Sequence, residues 1–413
     1  MRRVTARVRS LSYGWWVAVA GGLAMAVTVG PIELGASALF AAIEADSGWS
    51  RTVVSGAASV GQFGRAVLSP IQGALVDRVG PRWMVFAGLS LSGTAAILLS
   101  LVHDPFWYYA CFLAMSSGIG LGAFVPSMSA VNRWLPHRRA SGMALVVGGG
   151  SFGTALVPLV ALGIGAYGWR PTVIALGVLL IALAPVLAWV IGRPPPAEGQ
   201  SAEPGSPAQS ERRNRLEEAS EFTVGEALRT RTFWAMTVAH TFANLSVAAL
   251  AAHVILHLTD IGISFAAASV IVPVMGATAF VGQIVGGFVG DRLNKRLAAS
   301  ALLALQGVSI LVLTFAVAYP LVILFAVMWG VGFGARTPIL HAMRGDYFGR
   351  RSFATILGMS SLMLSLGMMA SPVIVGWMFD QQGTYHWAFI GLAAGAFLAS
   401  GIMMTATRPT KGA

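Results

Sequence analysis

Six stretches of this chain, residues 105–132, 140–169, 171–192, 232–259, 261–290 and 352–379, contain no Asp, Glu, Lys or Arg. Each exceeds the roughly 20 apolar residues that an α-helix needs to cross a bilayer. With 56% hydrophobic and 10% charged residues, where a soluble domain carries about 25% charged ones, the chain has more apolar surface than a water-soluble core hides. It reads as an all-α polytopic membrane protein. Charges and turn signals divide it into twelve transmembrane helices, near 14–40, 53–75, 83–103, 106–131, 141–166, 171–192, 232–257, 265–289, 298–317, 320–343, 353–379 and 386–406. The basic N-terminus resembles a secretory leader, but 14–40 is too long for a leader's apolar region and lacks a clear cleavage site. The first helix is therefore expected to be retained.

A net charge of +11 raises the question of nucleic acid, and the positions of the charges answer it. Of the 27 Lys and Arg, all but Arg51, Arg65, Arg170 and Arg336 fall in the termini and in alternate loops on one side. That asymmetry is the positive-inside pattern, so both termini are expected in the cytosol, with the chain multi-pass in the cytoplasmic membrane. No nucleic-acid partner is expected. Cys111 is the one cysteine and lies within a span, so no intramolecular disulfide is available.

The organisation is a six-helix bundle over 14–192, a linker over 193–231 and a second six-helix bundle over 232–406. The linker opens with RPPPAEGQSAEPGSPAQSERRNR, a composition that cannot fold on a core of its own. Its end, FTVGEALRTRTFW, reads as a short amphipathic helix at the membrane surface. The two bundles repeat each other. GALVDRVGPR at 73–82 returns as GGFVGDRLNKR at 286–296, and the offset from Asp77 to Asp291 also relates GWS at 48–50 to GIS at 262–264. Arg138-Arg139 and Arg350-Arg351, and YGW at 167–169 and YHW at 385–387, follow at nearly that offset. Two parallel copies of a helical unit point to a transporter with its site near mid-membrane at the repeat interface.

At these residues the chain resembles the major facilitator superfamily. GALVDRVGPR, preceded by Gly61, Gly64 and Pro70, is similar to the superfamily's loop between its second and third helices. GWSR (48–51), NRWLPHRRASGMAL (132–145) and YGWR (167–170) resemble the branch of monocarboxylate transporters and oxalate/formate antiporters. The resemblance implies alternating access by two rocking bundles. It also implies that Asp77 meets the N-terminus of the eleventh helix, whose partial positive charge attracts a carboxylate, with Arg78 and Arg82 completing a gating network. Asp291 and Arg292 are the weaker C-terminal copies. The alternative is that these charges only set topology and cap helices. The branch also places a cation in the eighth helix, an aspartate near it and a lysine in the first. Here those positions hold Gln283, Ala279 and a residue close to Leu34, so the branch's carboxylate-binding groups are not carried over.

An ionisable group at the centre of a span costs at least about 2.5–3.5 kcal/mol and marks a functional position. Arg336, in GFGARTP, is the expected substrate anchor, because a guanidinium fork binds carboxylate bidentately and keeps its charge. The structural alternative is an Arg reaching toward the interface. Glu33, beside Pro31, and Arg65 form either a buried ion pair or, for Glu33, a protonatable carboxylate coupling transport to protons. With Glu33, Arg65 and Arg336 all ionised, one net positive charge remains, suiting a monovalent anion. His240 and Asn244 share a helical face, and Gln283 and Gln306 add polar groups; for His240 interhelical hydrogen bonding is the alternative. His253 and His257 have metal-ligand spacing but no Cys or carboxylate cluster nearby, so no metal is expected. The glycine runs at 116–124 and 148–153 follow no strand and read as helix packing.

The function expected is secondary active transport of a small organic anion, coupled to protons or a counter-substrate, by a monomer that needs no cofactor and is not an enzyme. The alternatives are a broad exporter of amphipathic compounds and a membrane sensor that binds without transporting.

Overall fold

The computed structural model describes residues 2–34, 36–193 and 221–410. The linker segment 194–220 and the side chain of Glu33 lie outside the described residues. Every regular element among those residues is helical, as hydrocarbon demands of an open chain whose backbone groups must bond within their own segment. Among the described residues, eleven helical segments are long and apolar enough to span a membrane. The helix Arg51–Val79, 29 residues long, occupies the position of the remaining expected span. It is more polar than the others, carrying Gln62, Arg65, Ser69 and Gln72 along its length.

The chain forms two compact units, one of Met1–Val224 with Phe348–Met359, the other of Gly225–Tyr347 with Ser360–Ala413. In the first unit, Arg2–Thr28 packs against Arg139–Phe152, and Pro81–Leu99 against Trp169–Ile191. Three of its spans are interrupted beside a proline. A π-helical turn occupies Val29–Leu34 at Pro31, another covers Gly120–Phe124 ahead of Pro126, and a 3₁₀ turn covers Gly153–Leu156 ahead of Pro158. The cause is the missing N–H and the clash of the proline ring with the carbonyl four residues back.

In the second unit, Lys295–Thr314 and Arg231–Asp260 both pack on His386–Thr405. Its core joins Leu250, Val254, Ile271, Ile310, Phe325, Trp329 and Phe389. The short helix Val224–Arg229 precedes Arg231–Asp260.

The repeated G-x-S motif has a local explanation. Gly48 and Gly262 take positive φ of 69° and 89°, a region glycine enters without steric cost. Two residues later Ser50 and Ser264 cap the helices that follow, accepting from Val53 N at 3.4 Å and Ala267 N at 3.3 Å. The sequence marks these helix starts correctly because a side-chain acceptor is needed there. One boundary is corrected: the span expected to end at 343 continues as Tyr319–Phe348. Arg344, assigned from sequence to a cytosolic loop, lies in that helix and is buried, 1% exposed.

Close packing in the first unit depends on Gly149, where a Cβ would meet the carbonyl oxygen of Gly22 at 2.0 Å. Gly149→Ala is therefore expected to force the two helices apart and destabilise the fold by about 1–3 kcal/mol. Gly165→Ala, whose Cβ meets nothing within 4 Å, serves as the neutral control. Detergent-solubilised unfolding midpoints of the two variants would measure the difference.

Candidate functional site

The strongest concentration of polar chemistry lies inside the second unit. Arg336 and Arg344 rank among its largest fully buried side chains. Both belong to the helix Tyr319–Phe348. Arg336 Nε donates to Gln306 Oε1 at 2.9 Å, and its guanidinium carbon lies 5.3 Å from the centre of the Phe333 ring. Gln306 is held in turn, its Nε2 donating to Ser246 Oγ at 2.8 Å and to Ala243 O at 3.3 Å. Gln306 thus fixes the rotation of the guanidinium while leaving its fork open. Nη1 and Nη2 of Arg336 are buried and have no hydrogen-bond partner among the described residues. An unpaired buried donor forfeits its hydration without recompense, so this fork is suited to accept a carboxylate.

Arg344 extends the cluster. Its Nη2 donates to His240 Nδ1 at 3.2 Å and its Nη1 to Leu340 O at 3.3 Å. Since a guanidinium only donates, His240 accepts through Nδ1. The ring of His341 lies 5.7 Å from that of His240. Sequence reasoning missed Arg344 and His341. The available signal was that they stand three residues apart and share a helical face, downstream of an arginine already read as buried.

The remaining sequence-predicted residues divide. Asn244 is buried, but its Nδ2 donates to His240 O at 2.7 Å, so its amide serves its own helix. Gln283 is buried, at 2% exposure, in the helix Phe265–Gly290. That helix lies backbone to backbone against the one that carries Arg336: a Cβ on Gly334 would meet Ala279 O at 2.1 Å, and one on Gly286 would meet Ala335 Cα at 2.4 Å. The second unit therefore holds its buried cations, Arg336 and Arg344, on the helix adjoining the one where the resemblance places a cation. Arg65, partly buried, bonds through Nη2 to Gln62 Oε1 one turn earlier. Glu33 falls in the π-helical turn Val29–Leu34, with its side chain outside the described residues. His253 uses both ring nitrogens, Nε2 against Pro372 O at 2.9 Å and Nδ1 against Tyr385 Oη at 3.2 Å.

A second cluster lies in the first unit, at the start of the helix Phe353–Gln382. Asp77 accepts from Thr355 N at 2.8 Å, Thr355 Oγ1 at 2.7 Å and Ala354 N at 3.2 Å. These are the free N–H groups of a helix N-terminus, which favour a carboxylate. Burial pushes the Asp77 carboxyl above the usual carboxylate range, overriding the Thr355 bonds, the Ala354 N–H and the Arg133 charge, which all pull it down. The linker's end supplies a partner that sequence reasoning did not find: Glu221 accepts from Arg350 N and Arg351 N, each at 3.0 Å. Phe222 N donates to Phe348 O at 3.2 Å, and Asn132 Nδ2 to Gly349 O at 3.1 Å. Arg78, Arg82 and Arg292 are exposed, and Asp291 caps the C-terminus of Phe265–Gly290.

At another end of the first unit, the GWSR and YGWR motifs meet around a cavity of ≈ 230 Å³ that includes Asp46, Trp49, His103, Tyr108, Trp169 and Arg170 in its lining. Arg170 pairs with Asp46 and lies over the Trp169 ring, 4.5 Å from its centre. Trp169 Nε1 donates to the same carboxylate at 3.2 Å. The hydrogen bond from Arg170 is the largest influence holding Asp46 below the usual carboxylate range.

Comparison with known proteins agrees with this architecture. The family model described as Major Facilitator Superfamily matches residues 17–284 and 232–413. Monocarboxylate transporter 13 of Rattus norvegicus is 28% identical over 364 residues, covering 86% of this chain and 80% of that protein. Monocarboxylate transporter 12 of Mus musculus is 23% identical over 367 residues, covering 83% and 75%. Among solved structures, the E. coli fucose:proton symporter superposes with a TM-score of 0.75 at 13% identity, over 97% of this chain and 100% of that one. A proton:xylose symporter gives a TM-score of 0.72 at 13% identity, over 97% and 96%. At such identity these two structures bear on the fold alone.

The loop-end contacts predict a local pattern of protection. Asp77→Ala is expected to speed amide exchange at Ala354 and Thr355 on the order of tenfold, since a hydrogen bond to a charged group contributes about 1.5–3 kcal/mol. Glu221→Ala is expected to act instead on Arg350 and Arg351. Hydrogen exchange read by mass spectrometry separates the two, and unchanged exchange in either variant would show that its carboxylate does not hold the segment.

Proposed function

Because this chain belongs to the Major Facilitator Superfamily and is a multi-pass membrane transporter, we propose that its cargo is a small organic anion bound by Arg336. The observation that carries this reading is the fully buried guanidinium whose two Nη atoms lack partners among the described residues. A buried charge without a partner costs several kcal/mol, and an arginine does not escape that cost by losing its proton. An anionic substrate that docks on the fork supplies the missing counter-charge. The names of the relatives, monocarboxylate transporters, support the same chemical class. The branch's cation position holds Gln283 instead, and Arg336 on the adjoining helix takes over its role.

The transport cycle proposed is alternating access by the two repeats, with both termini cytosolic and energy drawn from a proton or counter-substrate gradient. In this reading Glu33 carries the coupling proton, while His240, Asn244, Gln283 and Arg65 shape the polar pathway. The Asp77 contacts with Ala354 and Thr355 act as the latch of one state. Arg78, Arg82, Asp291 and Arg292 complete the charge network around the repeated loops.

The test is uptake of labelled short-chain carboxylates into proteoliposomes with and without an inward proton gradient. Accumulation is expected to depend on the gradient, and Arg336→Gln to lower it ten- to a hundredfold, about the value of a hydrogen bond to a charged group. If no acid enters while the same vesicles move a lipophilic cation or a neutral compound, the organic-anion reading is wrong.

A further inference from the structure

The buried charge of the second unit is not that of a single anchor. Arg336 and Arg344 are both fully buried, yet no Asp or Glu is buried among the described residues. The second unit's acids, Glu226, Asp260, Asp291, Asp346 and Asp380, all lie at helix ends or in loops and are partly or fully exposed. Asp346 is also committed to Lys295 at 2.9 Å. Among the described residues, the side chains shown on or beside the two guanidiniums are neutral or basic: Gln306 on Arg336 Nε, His240 on Arg344 Nη2, and His341 beside His240. Two uncompensated cations call for two negative charges, where the sequence reading, with one cation and an ion pair, called for one.

The spacing narrows the ligand. Residues 336 and 344 stand eight positions apart on one helix, a rise of about 12 Å. Helical side chains lean the same way, toward the N-terminus, so the two heads stay separated. A lone carboxylate or inorganic phosphate is too short to reach both. The groups already on the guanidiniums also leave donors for such a ligand: Arg336 has both Nη groups without a partner among the described residues, and Arg344 spends Nη1 on a long 3.3 Å bond to a carbonyl of its own helix.

We propose that Arg344 is the second anchor of the site, and that the substrate carries two carboxylates separated by a chain, a dicarboxylate of roughly four to six carbons. Arg336 takes one carboxylate on its open fork, and Arg344, oriented by His240, takes the other. The proposal rests on the organic-anion reading and specifies its substrate class.

Proteoliposomes loaded for counterflow and given labelled succinate or labelled propionate at neutral pH decide it. The native protein is expected to favour succinate. Arg344→Gln is expected to lower the ratio of succinate to propionate efficiency ten- to a hundredfold. Arg344→Lys, which keeps the charge in case the glutamine variant does not fold, is expected to restore part of that ratio. Propionate entry without succinate entry, or a ratio unmoved by either substitution, would overturn the two-anchor proposal while leaving the organic-anion reading intact. Exclusion of both acids from vesicles that transport a neutral or cationic solute would remove both.

Discussion

A guanidinium held out of water without a counter-charge is among the most expensive groups a protein interior can contain, and the second unit buries two with no buried Asp or Glu among the described residues. The surrounding architecture is arranged to hold that cost rather than relieve it. Gln306 spends both ends of its amide, one on Arg336 and one on Ser246 and Ala243, so it orients the cation without neutralising it. His240 does the same for Arg344, offering a lone pair and no charge. Even the helix pairing serves this end. Small residues at Ala279, Gly286, Gly334 and Ala335 bring two backbones into contact, which excludes water from the flank of the site and lowers its dielectric. On the proposed reading, a stored electrostatic penalty of this kind is what a substrate's own charge would relieve on binding.

The two repeats solve the same backbone problems with the same local chemistry and then diverge in what they bury. Positive-φ glycines and serine caps open equivalent helices in each. The first unit places irregular turns beside Pro31, Pro126 and Pro158, while the second places its buried cations. The repeated Asp–Arg pairs also differ in what their aspartates do. Asp77 binds the start of another helix through three hydrogen bonds, whereas Asp291 ends its own. A repeated motif therefore marks repeated architecture, and each copy has taken a separate task.

The loop-end cluster joins the linker to the spans. Glu221 and Phe222, at the end of the linker, bind the backbone of Phe348–Arg351. Asp77 takes the next turn at Ala354 and Thr355. Two carboxylates thus satisfy consecutive N–H groups around one helix start. Any change of state that moves this helix start must release both, so Glu221 and Phe222 help to hold it in place.

Much of this was legible in the sequence. Charge-free runs located the spans, because hydrocarbon leaves the backbone no partner except itself. The Gly-x-Ser repeats located helix starts, because capping is a matter of the nearest three residues. Arg336 stood out as a charge within an apolar run. Arg344 did not, since a positive charge near a span's end looks like a topology signal whether the side chain faces water or core. Its burial is decided by which helices close over it, and that depends on residues such as His240, a hundred positions away in the chain. The same holds for Glu221, an unremarkable acid in a polar linker until the fold brings Arg350 and Arg351 to it. Local rules fix helices and caps because their energies come from neighbours along the chain. Burial of charge and the pairing of distant groups are settled only by tertiary packing, because there the energy comes from what the folded chain removes from water.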